Sequence, residues 1–189
     1  YWGKTLRNNL IHASIEMKPD TKFHYSSLNT PLLGRILEEV THGSISSYLQ
    51  EKIWIPLEME APAYWSLDNS KDEAMEKVFC CLQARTIDFA KIGRLDLNNG
   101  NWNGDQIISK KWVDYSLRPD LKGNNKHYYN NNWGLGPANY GSFYAVGLYG
   151  QYLYMYPKKK LIIVRFGDTD ISYHPNYWNE VFLQLIDQL

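Results

Sequence analysis

Phe23-His24-Tyr25-Ser26-Ser27-Leu28-Asn29-Thr30 puts an imidazole, a phenol and several hydroxyls within eight residues. A serine hydroxyl is a poor nucleophile until a neighbouring base takes its proton. A phenol ionises at pH about 10 and serves as that base only beside a cation. Tyr25 stands in a loop just before a helix, a place that presents a phenol rigidly at a cleft edge, or packs it on the Leu32/Leu33 helix. His24 invites the same role, but five scattered histidines favour solvent exposure or a local hydrogen bond. Asn29 reads as a turn residue rather than a ligand. A second candidate is Ala145-Val146-Gly147-Leu148-Tyr149, where Gly147 either lets a substrate approach a strand closely or marks an ordinary bulge. Trp133, Tyr149 and Tyr152 either wall a cleft or pack in the core. Cys80 and Cys81 are adjacent. The expectation is two reduced, small, buried residues, because disulfide geometry prefers Cα atoms about 4.4–6.8 Å apart. Neither Cys nor His recurs at metal-ligand spacing, so no metal is expected.

The chain carries 20 Lys+Arg against 20 Asp+Glu over 189 residues. Zero net charge argues against a surface built to coat nucleic acid or anionic membrane. The apolar share of 44% is enough for a core and argues against global disorder. Mean hydropathy is −0.48, and no apolar run reaches the roughly 18 residues of a membrane helix. The skew is aromatic, with 15 Tyr and 7 Trp, as in sites that take small organic ligands. The start, Tyr1-Trp2-Gly3, has no Met and no leader pattern, so localisation stays unknown and the chain is a mature form or a fragment.

The elements that must position these groups change character along the chain. Helices are expected in a first part of about 1–135. One has Thr30 as N-cap and Pro31 in its first turn, with Leu32, Leu33, Ile36, Leu37 and Val40 facing inward and Gly43 as a left-handed cap. A short one runs from about Ser46 to Ile53, before Pro56. A third starts at Thr86, turns Ile87, Ala90 and Leu97 inward, and ends near Asn99-Gly100. A fourth starts at Ser109 and holds Trp112 and Val113. Asp120–Asn132 reads as an exposed, turn-prone loop. Over about 140–189, Phe143–Leu148, Gln151–Tyr156 and Leu161–Phe166 read as antiparallel strands, the last two joined by a hairpin at Pro157–Lys160. A final helix after His174-Pro175 carries Trp178, Val181, Phe182, Leu185, Ile186 and Leu189 on the stripe that covers the sheet. The expected class is α+β, an α/β sandwich.

Four segments in order carry a family resemblance. They are Phe23–Thr30 running into Leu32-Leu33-Gly34; Trp54-Ile55-Pro56-Leu57-Glu58-Met59; Ala84–Leu95 followed by Asn101-Trp102-Asn103-Gly104; and Ala145–Gln151 leading into a strand. Together they resemble the C-terminal portion of the serine β-lactamase-like superfamily, which includes class C β-lactamases, penicillin-binding proteins and family VIII esterases. The likeness leans to its 6-aminohexanoate-oligomer hydrolase branch and covers nearly the whole chain. The order and spacing of the four carry it, rather than any one alone. The resemblance implies that residues 1–189 are the C-terminal part of a single β-lactamase/transpeptidase-like domain. It also implies acyl transfer through a serine ester, with no cofactor and with a small-molecule amide or ester as substrate. Tyr25 would share the proton work, Ser27 would support it, and the Leu148 backbone N–H would hold the oxyanion. Ala145, Gly147, Tyr149 and Trp133 would line the substrate site.

Three departures narrow that reading. Ser27 stands where the superfamily often has Asn. Ala145-Val146-Gly147 stands where it often has Lys-Thr-Gly, so the cation and hydroxyl that suit a β-lactam carboxylate are missing. Both point towards other amides or esters. The superfamily's Ser-x-x-Lys nucleophile motif is nowhere in the chain: Ser14 to Lys18, Ser70-Lys71 and Ser109-Lys110 all have other spacings, and only 24 residues precede Tyr25. The expectation is a fragment that is inactive alone, with an exposed sheet edge or apolar face where upstream strands belong. The rival expectation is a non-catalytic ligand-binding or sensor relative of penicillin-binding proteins. Oligomeric state is not legible.

Overall fold

In a computed structural model, residues 5–15, 17–18, 21, 23–119, 129–168 and 177–189 are described. Two compact units divide them after Asp88. The second unit is built on an antiparallel meander of five strands in sequence order: β5 (Tyr129–Asn130), β6 (Trp133–Leu135), β7 (Phe143–Gly147), β8 (Gln151–Tyr156) and β9 (Leu161–Arg165). Side chains alternate along β8, and this alternation builds both cores. Tyr152, Tyr154 and Tyr156 meet Phe182 and Ile186 of the last helix, α6 (Tyr177–Gln188). Leu153 and Met155 face the other way, with Phe89, Ile92 and Leu97 of α4 (Thr86–Leu97) packed around them. Gly93 permits that close approach, since a Cβ there would lie 3.0 Å from Leu153 and 3.1 Å from Met155. The buried Tyr154 phenol on β8 donates to Ser142 Oγ at 2.7 Å. The second unit is thus a helix–sheet–helix sandwich.

Several expectations shift in detail. Tyr129–Asn130 was expected in a loop and is a strand. The Asn-rich signal there is the hairpin itself: Asn131 and Asn132 both take positive φ, 45° and 69°, as a tight primed turn demands. Residues 120–128, in the same expected loop, lie outside the described residues, as do His174 and Pro175. The inward face of α4 holds Phe89, Ile92 and Leu97, while Ile87 is exposed. On α6 Trp178, Phe182 and Ile186 pack against the sheet, Val181 is half-buried, and Leu185 and Leu189 are exposed.

The first unit is helical and loop-rich. Its elements are α1 (Leu6–Ile11), α2 (Asn29–Thr41) and α3 (Ile45–Leu49), which runs on through a wider turn at Gln50–Trp54, and a small hairpin of β1 (Tyr64–Trp65) with β2 (Leu82–Gln83). Buried carboxylates tie the loops together. Asp68 accepts the N–H of Leu6 at 2.8 Å and of Met75 at 2.9 Å. Asp88, fully buried in the first turn of α4, accepts the Glu60 N–H at 2.7 Å. Glu76 accepts the N–H groups of Ile45 and Ser46 at 3.1 and 3.0 Å, which satisfies the start of α3 alongside the Ser44 cap.

α2 begins one residue before the expected cap. Leu28 precedes it without a side-chain bond, and the left-handed residue that ends it is His42 (φ 54°), not Gly43. Most of its expected stripe is not inward: Leu32, Leu33, Ile36 and Val40 are exposed, Leu37 is half-buried and only Pro31 is fully buried. The cysteine expectation is also corrected. Cys80 and Cys81 are joined by a disulfide at a Cα–Cα distance of 3.7 Å, and Cys81 is exposed. A left-handed Cys81 (φ 70°) turns the chain so that adjacent sulfurs meet.

Elsewhere in the second unit, β3 (Asn101–Trp102) and β4 (Asp105–Gln106) form a hairpin about Asn103-Gly104, and α5 (Lys110–Ser116) is capped by Ser109. Among the described residues no helix is long and apolar enough to cross a membrane.

Candidate active site

The sequence-predicted residues fall in both units. Tyr25 and Ser27 belong to the first. Its short turn is set by backbone: the Asn29 N–H donates to the Ser26 carbonyl at 3.2 Å, and the Leu28 N–H donates to Ser26 Oγ at 3.3 Å. The helix α2 then starts at once, so Tyr25 is fixed four residues ahead of a rigid element. Tyr25 is 62% exposed, so its ring is not buried on the Leu32/Leu33 face. Ser27 is half-buried, and Asn29 is the first residue of α2.

The remaining candidates belong to the second unit, at the open end of β7. Phe143 is buried at one end of the strand, while Val146 and Gly147 are exposed at the other. Leu148, 51% exposed, follows in a three-residue turn to β8. Gly147 is extended (φ −130°), so its use there is space rather than backbone freedom: only Gln151 approaches the position a Cβ would take. Tyr149 is left-handed (φ 61°) and partly exposed. Ala145 and Trp133 pack against the α4-side core, where the Trp133 ring meets Phe143 edge-on at 5.4 Å. Tyr152, considered as a cleft wall, is a core residue against Phe182.

Two features were missed. Asp96 of α4 is buried, and burial pushes its carboxyl up to about 7. The sequence shows only an acidic residue near a helix end. The other is a pocket of about 410 Å³ in the first unit, lined by Leu49, Trp54, Met59, Pro62, Trp65 and Leu82 among others. Its indoles are held in place: Trp54 Nε1 donates to the Ala61 carbonyl at 2.8 Å and Trp65 Nε1 to the Cys80 carbonyl at 2.7 Å. None of the sequence-predicted residues lines it. Among the described residues no cluster of three or more His, Cys, Asp or Glu is placed to hold a metal ion.

Known proteins share this fold. A profile of the Beta-lactamase family matches residues 1–175. The 6-aminohexanoate-dimer hydrolase of Paenarthrobacter ureafaciens is 26% identical over 154 residues, which cover 76% of this chain and 38% of that protein. A Bacillus anthracis structure provisionally named 6-aminohexanoate-dimer hydrolase superposes with a TM-score of 0.85 at 26% identity, over 97% of this chain and 49% of that one. A Bacteroides dorei structure provisionally named beta-lactamase shares the fold alone, with a TM-score of 0.75 at 14% identity over 99% and 65% of the two chains. The chain therefore spans about half the length of the hydrolase-named relatives it matches. The helix–sheet–helix sandwich, the ordered motifs and the match over 1–175 place the chain in the beta-lactamase family, within the serine β-lactamase-like superfamily.

Proposed function

We propose that residues 1–189 are the C-terminal part of one β-lactamase-like domain in a serine hydrolase that cleaves an amide or ester through an acyl-enzyme. The observation that carries this reading is the likeness to a protein named 6-aminohexanoate-dimer hydrolase, by sequence over 76% of the chain. The exposed apolar stripe of α2 supports a longer domain, because such a stripe is what a helix presents to a further polypeptide layer.

In this mechanism a serine upstream of Tyr1 attacks the substrate carbonyl. Its proton passes towards the Tyr25 oxygen, with a lysine beside the serine as the neighbouring cation. The negative oxygen of the tetrahedral adduct accepts the Leu148 N–H. The adduct collapses as Tyr25 returns the proton to the leaving amine or alcohol, and water then hydrolyses the acyl-serine by the same relay. Ser27 supports Tyr25. Gly147 and Tyr149 line the substrate site, with the partly buried Ala145 and Trp133 behind them at its base.

The upstream reading frame tests this first: Ser-x-x-Lys is expected there, and its absence favours a ligand-binding relative instead. Turnover of p-nitrophenyl esters tests it further. The 189-residue chain alone is expected to be inactive, and activity abolished by mutating one of its own serines would overturn the upstream nucleophile. In the longer protein Tyr25→Phe should cut turnover by about 10²-fold or more, the scale of general acid–base help. An unchanged rate removes Tyr25 from the mechanism.

A further inference from the structure

The turn that carries Leu148 is an unusual piece of backbone. Between the ends of β7 and β8 only Leu148, Tyr149 and Gly150 intervene, and two of them are left-handed: Tyr149 at φ 61° and Gly150 at φ 70°. Left-handed backbone disfavours a residue with a Cβ by about 1–2 kcal/mol, so Tyr149 stays there only where its surroundings insist. The surroundings are specific. The Arg165 guanidinium, at the end of β9, donates through Nη1 to the carbonyl of Tyr149 at 3.0 Å and to that of Gly150 at 2.6 Å. The same guanidinium lies over the indole of Trp178 on α6, 3.9 Å from the ring centroid. Trp178 in turn packs on Phe182 of the core. A second fastening sits beside it. The Gln151 side chain accepts the Gly167 N–H at 3.1 Å and donates to the Gly167 carbonyl. Gly167 is without a Cβ for a reason, since one there would run into the Tyr149 carbonyl and the guanidinium.

We propose that Arg165 is a positioning residue: it clamps the Leu148–Gly150 turn to the sheet and to α6, and so aims the Leu148 N–H. The chemistry selects arginine. The two N–H groups of one guanidinium nitrogen can bridge two carbonyls while the planar face stacks on an indole, and a lysine ammonium can do one or the other. The catalytic meaning of the clamp rests on the hydrolase reading above, in which that N–H holds the oxyanion.

Backbone order decides the clamp without any turnover. In the ¹⁵N-labelled 189-residue chain, Leu148 and Tyr149 amides should show order parameters near about 0.85, the rigid value. Arg165→Ala should drop them below about 0.6, while Leu153 and Met155 in β8 stay as they were. Arg165→Lys, which keeps the stem and the charge, should also lose order and serves if the alanine variant does not fold. Leu148 at the wild-type level in the folded variant overturns the proposal. In the longer protein, both variants should lower kcat by about 10-fold or more with KM nearly unchanged, as for a misplaced transition-state donor. Turnover that needs Tyr25 and ignores Arg165 overturns the positioning role and leaves the hydrolase reading standing. A wild type with no turnover refutes that reading, and the order parameters still decide the clamp.

Discussion

The two units solve the problem of burying an apolar surface differently. The sheet unit closes on itself: β8 sends Tyr152, Tyr154 and Tyr156 to α6 and Leu153 and Met155 to α4, and each face is covered. The helical unit does not. Its longest helix, α2, leaves Leu32, Leu33, Ile36 and Val40 exposed, and buried carboxylates hold its loops in place of a wide apolar core. The difference separates residues that fold the chain from residues prepared for something else to touch. On this view Leu148 sits on finished scaffold, whereas Tyr25 precedes in sequence the helix whose face is still open.

The largest effect should come from breaking the finished core. Phe182 is buried among the rings of Tyr152, Tyr154 and Trp178, at centroid distances of 5.3, 5.4 and 6.0 Å. Phe182→Ala should cost about 3–5 kcal/mol, the range for losing a buried ring. Urea unfolding measures it. A loss under about 1 kcal/mol would mean that the sandwich is no tighter than the helical unit.

Asp96 should give the next effect, and its sign is unusual for a carboxylate. Its folded value is raised to about 7 from 3.8 because burial disfavours the charged form. Below pH about 4 both folded and unfolded states hold the proton, and the group costs nothing. As pH rises towards 7 the unfolded chain ionises first, so stability falls; above about 7 the full penalty applies. At about 1.4 kcal/mol per pKa unit the penalty is on the order of 4 kcal/mol. Asp96→Asn should therefore stabilise the chain at pH 8 by a few kcal/mol and flatten its stability between pH 4 and 7, as denaturant midpoints across that range would reveal. A variant that tracks the wild-type pH profile would place the charge in water rather than in the sandwich.

Much of the sandwich was legible because strand alternation is a strong local signal. The three long strands, the Pro157–Lys160 hairpin and the covering helix all appear where the pattern put them, with ends displaced by a residue. Asn131-Asn132 and Asn103-Gly104 were equally local signals, and each marks a hairpin: the first was read as part of an exposed loop and the second only as part of a family motif. Other features were not legible in principle. The spacing of Leu32, Leu33, Ile36 and Val40 says that a stripe exists, not whether the chain contains what covers it. The clamp joins residues 149 and 165 with an indole at 178, three points brought together only by the meander and α6. The Cys80–Cys81 bond needed a left-handed Cys81, which nothing in its neighbours announces.

The smallest effect is the most telling for the comparison. Ile36 is 53% exposed on α2, so Ile36→Gln removes little buried apolar area and keeps a residue that tolerates helix well. In the 189-residue chain the change should move stability by no more than about 0.5 kcal/mol, as surface substitutions do. It should also reduce self-association in sedimentation runs, because a contiguous exposed apolar patch is sticky. A loss above about 2 kcal/mol would mean that the stripe is already covered in solution. If that loss grows with protein concentration, the cover is a second copy, since stability gained from a partner rises by mass action. If it does not, the chain covers the stripe itself and the contrast between the units disappears. A longer protein that carries the upstream segment should respond differently. There Ile36→Gln would strike a buried contact, and a cost that appears only in the longer protein would mark α2 as the seam between the two halves of the domain.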